Sequence, residues 1–263
     1  DVTKNIHAAY TELTYWFSPH FMGSFGLRFD DVYLVVNYDV DRGGTRGQAK
    51  IDKSYLLPML NLRYDFNDKQ ILRLGVGKTY TLPQSKEISP YKYIGINFKS
   101  QGNPDLKPSD NYHIDLKWDY YIGPSEVITF AGFYKYIKNP ILRIEANNAA
   151  GYLTYKNISD YATVGGIEME LRKNLINRVS TAVERTNRLS VGLNASYIYS
   201  HLKVTNVENT PEKDSKLEGA APFLLNAAIS HTYAYRNKSL INSLVCSYFS
   251  DRIYTIGTTG FQD

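Results

Sequence analysis

The chain has 263 residues with net charge +4 and a sequence pI of about 8.8, and it is 43% hydrophobic, with 23 Tyr and 11 Phe beside only 3 Met. That aromatic, β-branched content can bury apolar surface, which excludes disorder, and no window approaches about 18 consecutive apolar residues, which excludes a bilayer-spanning helix. Lysines and arginines are scattered without a basic run or a zinc-finger or RNP-like signature, which argues against a nucleic-acid partner. The single Cys246 permits no internal disulfide, and the opening "DVTKNIHAAY" is not a signal peptide.

Period-two alternation dominates, and it predicts strands at about 8–17, 21–40, 54–66, 70–80, 110–121, 126–138, 152–172, 188–203, 222–235 and 239–255. In "YLLPMLNLRYDF", Leu60, Leu62, Tyr64 and Phe66 alternate with Asn61, Arg63 and Asp65. In "ILRLGVGKT", Leu72, Leu74 and Val76 alternate with Arg73, Gly75 and Gly77. The stretch "GNPDLKPSDNYHIDLKWDYY" opens with turn chemistry and then sets Tyr112, Ile114, Leu116, Trp118 and Tyr120 against Asn111, His113, Asp115, Lys117 and Asp119. "GIEMELR" sets Ile167, Met169 and Leu171 against Glu168, Glu170 and Arg172, and "LSVGLNASYIYS" alternates in the same way from Leu189 to Ser200. No segment shows a sustained helical period.

Short turns at 18–20, 67–69, 123–125 and 236–238 separate long polar loops near 41–53, 81–109, 139–151 and 204–220, and the connection at 173–187 is longer than its class. Long loops at one end and tight turns at the other is the build of a transmembrane β-barrel. Residues 111–121 extend about 36 Å at roughly 3.3 Å per residue, which at a tilt of about 45° covers the roughly 25 Å apolar band of such a barrel. The fold class predicted is all-β, an antiparallel transmembrane barrel segment with its aromatic face toward lipid and its charged face toward a wet or plugged lumen. A soluble sandwich would bury the apolar face instead, and alternation alone leaves both open.

Chemical motifs are sparse. "GVGKT" lacks the earlier glycine of a phosphate-binding loop, since Leu72 stands there, and "YTLPQ" in place of a helix follows it. The histidines His7, His20, His113, His201 and His231 have no metal-type spacing, so neither a metal nor another cofactor is expected; His231 falls on the aromatic face near a headgroup boundary. Glu168, Glu170 and Arg172 read as a salt-bridge ladder rather than as acid/base machinery. No nucleophile elbow is present, and the chain is not expected to be an enzyme.

With strands and loops in place, the ordered set "AAYTELTYWFSPHF", "GLRFD", "YLLPMLNLRYDF", "GNPDLKPSDNYHIDLKWDYY", "FAGFYKYIKNPI", "VGGIEMELRKNL" and "FLLNAAISHTY" resembles the barrel of TonB-dependent outer-membrane receptors, from about residue 8 to residue 256. The resemblance implies energy-coupled uptake of a scarce nutrient such as a ferric siderophore, cobalamin or an oligosaccharide. It implies outer-membrane lipid, a plug domain, the TonB system and a small-molecule or glycan ligand as partners, in the bacterial outer membrane. No plug is in the sequence, and "TGFQD" lacks a terminal aromatic, so residues 1–263 read as the middle-to-late strands of a larger barrel, with a free-standing smaller barrel the alternative. The residues expected to face lumen and plug are Arg63, Asp65, Arg73, His113, Asp115, Lys117, Asp119, Glu168, Glu170 and Arg172. Ligand contacts are expected from Tyr91, Lys92, Tyr93, Phe98 and Lys99 in the longest loop, where packing against neighbouring loops is the plain alternative. The runner-up function is a soluble carbohydrate-binding module stacking sugars on Tyr91, Tyr93 and Phe98.

Overall fold

The computed structural model describes residues 1–40, 45–96, 98–145, 152–182, 184–205 and 212–256. In chain order the elements are β1 (Val2–Ser18), β2 (Phe21–Val40), β3 (Thr45–Asn67), β4 (Gln70–Thr81), α1 (Ser85–Ile88), β5 (Lys92–Ile94), β6 (Lys99–Gln101), β7 (Ser109–Gly123), β8 (Glu126–Lys138), β9 (Leu142–Glu145), β10 (Leu153–Lys156), β11 (Tyr161–Ser180), β12 (Arg185–Val204), β13 (Lys213–Ser215), β14 (Phe223–Tyr235) and β15 (Lys238–Phe249). The long strands form one antiparallel meander in the order β1-β2-β3-β4-β7-β8-β11-β12-β14-β15, with β13 beside β12. Nine of the ten expected strands have a single counterpart in this meander, and the tenth, 152–172, is divided between the two sheets.

Their hairpins are closed by local chemistry. Asn67 Oδ1 accepts from the backbone N–H of Lys69 and Gln70, at 2.9 and 3.0 Å. Ser125, Glu184 and Arg236 take φ of 83°, 47° and 53°, the left-handed turn positions that let two strands reverse tightly. Several boundaries differ from the sequence reading. Residues 173–187 are not a long connection: β11 continues to Ser180 and β12 begins at Arg185. Of the expected 41–53 loop, residues 45–53 belong to β3, and 41–44 lie outside the described residues. The expected strand 152–172 is two strands. It breaks where the Asn157 side-chain amide leaves the ladder to donate to the carbonyls of Lys107 (3.1 Å) and Asn139 (2.9 Å).

The two faces of the sheet stay separate across the strands. One row of cross-strand neighbours reads Phe21, Tyr64, Leu72, Trp118, Phe130, Met169, Ala195, Leu225, Tyr248. The adjacent row on the opposite face reads Asp65, Ile71, Asp119, Thr129, Glu170, Asn194, Asn226, Ser247. Aromatic rings gather near both ends of the first face. Trp118 stacks on Phe130 at 6.0 Å and Phe17 on Phe21 at 5.1 Å toward the tight turns, while Tyr136 stacks on Tyr161 at 5.4 Å toward the loops.

Among the described residues, the buried apolar clusters lie toward the loops. One cluster joins Leu142, Ile144, Ile158, Ala162, Leu202, Val204 and Ile256, and a second joins Leu34, Val36, Ala49, Ile51 and Ile88. Through the middle of the sheet the apolar face has no protein cover, with Leu116 at 48% and Ile167 at 66% exposure. A water-soluble sandwich would hide those side chains. β1 and β15 are the sheet edges, and every residue of both is exposed.

Candidate ligand-binding cap

The loops after β4, β8 and β12 meet over one end of the sheet. The first is pinned by α1, whose start is closed by a capping box: the Glu87 carboxylate accepts from the Gln84 N–H at 2.8 Å. Ile88 is fully buried against Leu34, Val36, Ala49 and Ile51. These residues continue the otherwise charged face, which turns apolar above Asp30. The signal is in "VYLVV", where Val32, Leu34 and Val36 are interleaved with Tyr33 and Val35, the run of a strand covered on both faces.

The motif "GNPDLKP" is the joint of the cap. A Cβ on Gly102 would lie 2.0 Å from the Ser89 carbonyl oxygen, so only glycine fits there. Asn103 donates its backbone N–H to the Glu87 carbonyl (2.6 Å) and its side-chain amide to the Tyr155 carbonyl (2.9 Å). Its Oδ1 accepts from the Asp105 N–H at 3.0 Å, an Asx turn. Lys107 N–H donates to Asn157 Oδ1 at 2.9 Å, and Leu106 is buried at 4%. Two loops are thereby tied together, and a second small sheet, β5-β6-β10-β9, forms from both.

Arg143 on β9 draws in the rest. Its guanidinium donates to Glu218 at 2.6 Å and to the Tyr254 carbonyl at 2.7 Å. It lies 4.3 Å from the Tyr254 ring centre and 5.5 Å from that of Phe98. Three other chain segments, at Phe98, Glu218 and Tyr254, converge on this side chain. Burial pushes the Glu218 carboxyl above the usual carboxylate range, and the Arg143 hydrogen bonds and charge offset that only in part. The Tyr155 phenol is also raised by burial, reinforced by the charge of Glu87. No local sequence pattern marks Arg143, Glu218 and Tyr254, since the partners stand far apart in the chain.

The five expected ligand residues divide into two groups. Lys92 and Lys99 converge, with both ammonium groups over the Tyr152 ring, at 5.6 and 5.8 Å from its centre, and neither has an acidic partner among the described residues. Tyr93 is open at 67%, beside Ile94 at 71%. Tyr91 turns back to the wall, where its hydroxyl accepts from the Asp39 N–H at 3.3 Å. Phe98 packs edge-on to Tyr254 at 6.2 Å and serves the Arg143 cluster. Parts of the expected loops, 146–151 and 206–211, lie outside the described residues.

Below the cap, several expected charged residues pair along the wall. Asp119 is 2% exposed; it meets Arg73, accepts from the Thr129 hydroxyl at 2.7 Å and lies 3.5 Å from Lys117. Arg63 binds Asp65 at 2.8 Å and Arg172 binds Glu170 at 2.6 Å. Glu168 and Asp115 carry no ion pair among the described residues, so the ladder expected at 168–172 is a single pair. His113 lies under Gly77, where a Cβ would come within 2.9 Å of Nε2. His231, on the aromatic face, contacts Asn187 at 2.9 Å. Among the described residues no group of three or more His, Cys, Asp or Glu is placed to hold a metal.

The model of the TonB-dependent receptor-like β-barrel family matches residues 1–259. The chain belongs to this family. Solved barrels agree in fold. The ferric yersiniabactin uptake receptor FyuA of Yersinia pestis is 15% identical at a TM-score of 0.64, over 94% of this chain and 34% of that one. The copper transporter OprC is 15% identical at 0.70, over 96% and 36%. The FrpB iron transporter of Neisseria meningitidis is 15% identical at 0.63, over 100% and 35%. The chain thus spans about a third of the length of each receptor. No curated protein sequence matches it. Members of the TonB-dependent receptor family are outer-membrane transporters, which places this chain's fold among them.

Proposed function

We propose that the chain forms part of the wall and outer cap of a TonB-dependent transporter in the bacterial outer membrane, taking up a scarce nutrient with energy drawn through TonB. The observation that carries this reading is the uncovered apolar face, bounded by aromatic rings and running through every long strand, while the buried apolar clusters of the described residues lie under the loops. In bilayer that face is at home, with rings at the headgroup levels. The opposite face, with Arg63, Asp65, Arg73, His113, Asp115, Lys117, Asp119, Glu168, Glu170 and Arg172, turns to the lumen and a plug domain of the same receptor. The uncovered face disfavours the soluble carbohydrate module, and the role assigned here is transport without catalysis.

The cap is the ligand-capturing end. Lys92 and Lys99 hold two charges around Tyr152 with no acidic partner among the described residues, and Tyr93 stands open beside them, an arrangement suited to a ligand that carries negative charge on a planar or ring-bearing body. Ferric siderophores, cobalamin and oligosaccharides are the classes to test. In cells expressing the complete receptor, uptake of the accepted ligand should cease when the proton gradient is collapsed. The double variant Lys92→Gln/Lys99→Gln should weaken apparent affinity by about tenfold or more, on the scale of a charge-assisted contact. Uptake indifferent to the gradient would contradict energy coupling; unchanged affinity in the variant would remove this part of the cap from the ligand path.

A further inference from the structure

The stretch 173–187, too long in sequence for a tight turn, is the far end of the β11–β12 hairpin. β11 pairs with β8 from Tyr161↔Lys138 to Arg172↔Val127, and β8 begins there, at Glu126. β11 runs on to Ser180, so beyond Arg172 its ladder is with β12 alone. This edge differs from those of β1 and β15. It opens between two strands that are already neighbours, so no further strand of a larger wall can cover it.

What the edge accepts is visible where it starts. The Glu126 carboxylate accepts from the Asn174 backbone N–H at 3.0 Å and lies 3.7 Å from the Lys173 ammonium. Below it, residues 175–180 are all exposed, with Leu175 at 58% and Val179 at 56%. They extend about 20 Å at roughly 3.3 Å per residue. Residues 173–191 carry four cations, Lys173, Arg178, Arg185 and Arg188, against one carboxylate, Glu184, and the neighbouring turn adds Arg236 and Lys238. Arg178 pairs with Asn187 and Ser180 with Arg185, which makes the two arginines diagonal neighbours, and both line a cleft of about 460 Å³. Among the described residues neither has a carboxylate partner; Arg185 lies 5.5 Å from the Tyr233 ring centre.

We propose that the β11 edge at 175–180 docks an extended, acidic segment of a periplasmic protein, added as a strand with its carboxylates on Arg178 and Arg185. The inference rests on the orientation proposed above, in which the cap faces outward and the tight turns face the periplasm. Backbone pairing supplies affinity in such an addition, and alternate side chains supply selectivity. Charge on the edge deters indiscriminate pairing and selects a strand of opposite sign. A second copy of this hairpin is disfavoured, because its own arginines would meet these.

Fluorescence anisotropy on the complete receptor in detergent tests this with a labelled octapeptide of alternating Glu and Val. A control octapeptide replaces each Val by Pro, which keeps the charge and removes N–H groups that a strand needs. The Glu–Val peptide should bind about tenfold tighter than the control and slow amide exchange at 175–180. The double variant Arg178→Gln/Arg185→Gln should weaken it about tenfold, while Lys86→Gln, in α1 at the opposite end of the sheet, leaves it unchanged. Heat-modifiable gel mobility confirms that each variant is folded. Equal affinity for the two peptides, or an equal loss in Lys86→Gln, would reduce the site to general charge attraction and overturn the proposal. Displacement of the Glu–Val peptide by soluble peptidoglycan fragments would assign the hairpin to the cell wall and overturn it as well. Uptake by the double variant should match that of the parent, which separates this contact from coupling through TonB; uptake that falls in step with peptide affinity would contradict a separate partner.

Discussion

Arginine at Leu193 is expected to destabilise the folded barrel by about 2–4 kcal/mol, the penalty for a cation near the bilayer midplane on a lipid-facing strand position. Leu193 lies between Leu171 and Ala227 in an apolar cross-strand row. Arginine one position along, at Asn194, falls between Glu170 and Asn226 on the opposite face, where water and a carboxylate can receive it. Asn194→Arg should therefore be tolerated within a few tenths of a kcal/mol. A urea titration of the complete receptor refolded into lipid vesicles measures both. Equal losses would refute the division of the sheet into lipid and lumen faces.

The second large effect is expected in the cap. Arg143→Ala removes the 2.6 Å pair with Glu218, the 2.7 Å bond to the Tyr254 carbonyl and the stacking on Tyr254, leaving a half-buried carboxylate without its cation. Charge-assisted hydrogen bonds are worth about 1.5–3 kcal/mol and a cation–π contact about 1, so loss of about 2 kcal/mol of cap closure is expected once partial exposure is discounted. Amide exchange at 142–145 and 153–156 should then accelerate about 30-fold, with the wall strands unaffected. Glu218 sets the pH dependence. Its carboxyl is raised in the folded cap, chiefly by burial, so its contribution to closure is fully present below its unfolded value and is lost as pH rises through the folded one. Glu218→Gln keeps an oxygen acceptor for Arg143 and should flatten that dependence. A protection profile that falls equally in wall and cap would mean that Arg143 holds the whole fold rather than the cap.

The strands were legible because water or lipid on one side and a polar surface on the other forces period two, and residues 111–120 follow it without interruption. The pattern gives out where that physics is interrupted. Between Asn174 and Ile176 the pairing with β12 shifts register, so Leu175 is an extra residue and the alternation is lost just where β11 continues. In 45–53 the sequence alternates too weakly to mark a strand, yet β2 supplies a backbone partner for every position. The cap was legible in part. Lysines interspersed with aromatics pointed to Lys92 and Lys99, but Tyr152 and Arg143 belong to another loop, and no local pattern encodes a contact between loops. "GNPDLKP" carries turn chemistry and a family signature in its own residues, but its role as the joint between two loops lies in what Asn103 and Asn157 bond to, which no local pattern encodes.

Position-by-position cysteine labelling of residues 112–118 in the complete receptor, in intact outer membranes, tests the central claim most directly. A lipid-soluble maleimide should react at Tyr112→Cys, Leu116→Cys and Trp118→Cys, and a charged, water-soluble one at His113→Cys, Asp115→Cys and Lys117→Cys. The alternation should continue without a slip, because β7 is paired in register with both β4 and β8 over this stretch. Uniform labelling of all six positions by the water-soluble reagent would contradict a membrane wall, and with it the assignment of this chain's two faces to lipid and lumen.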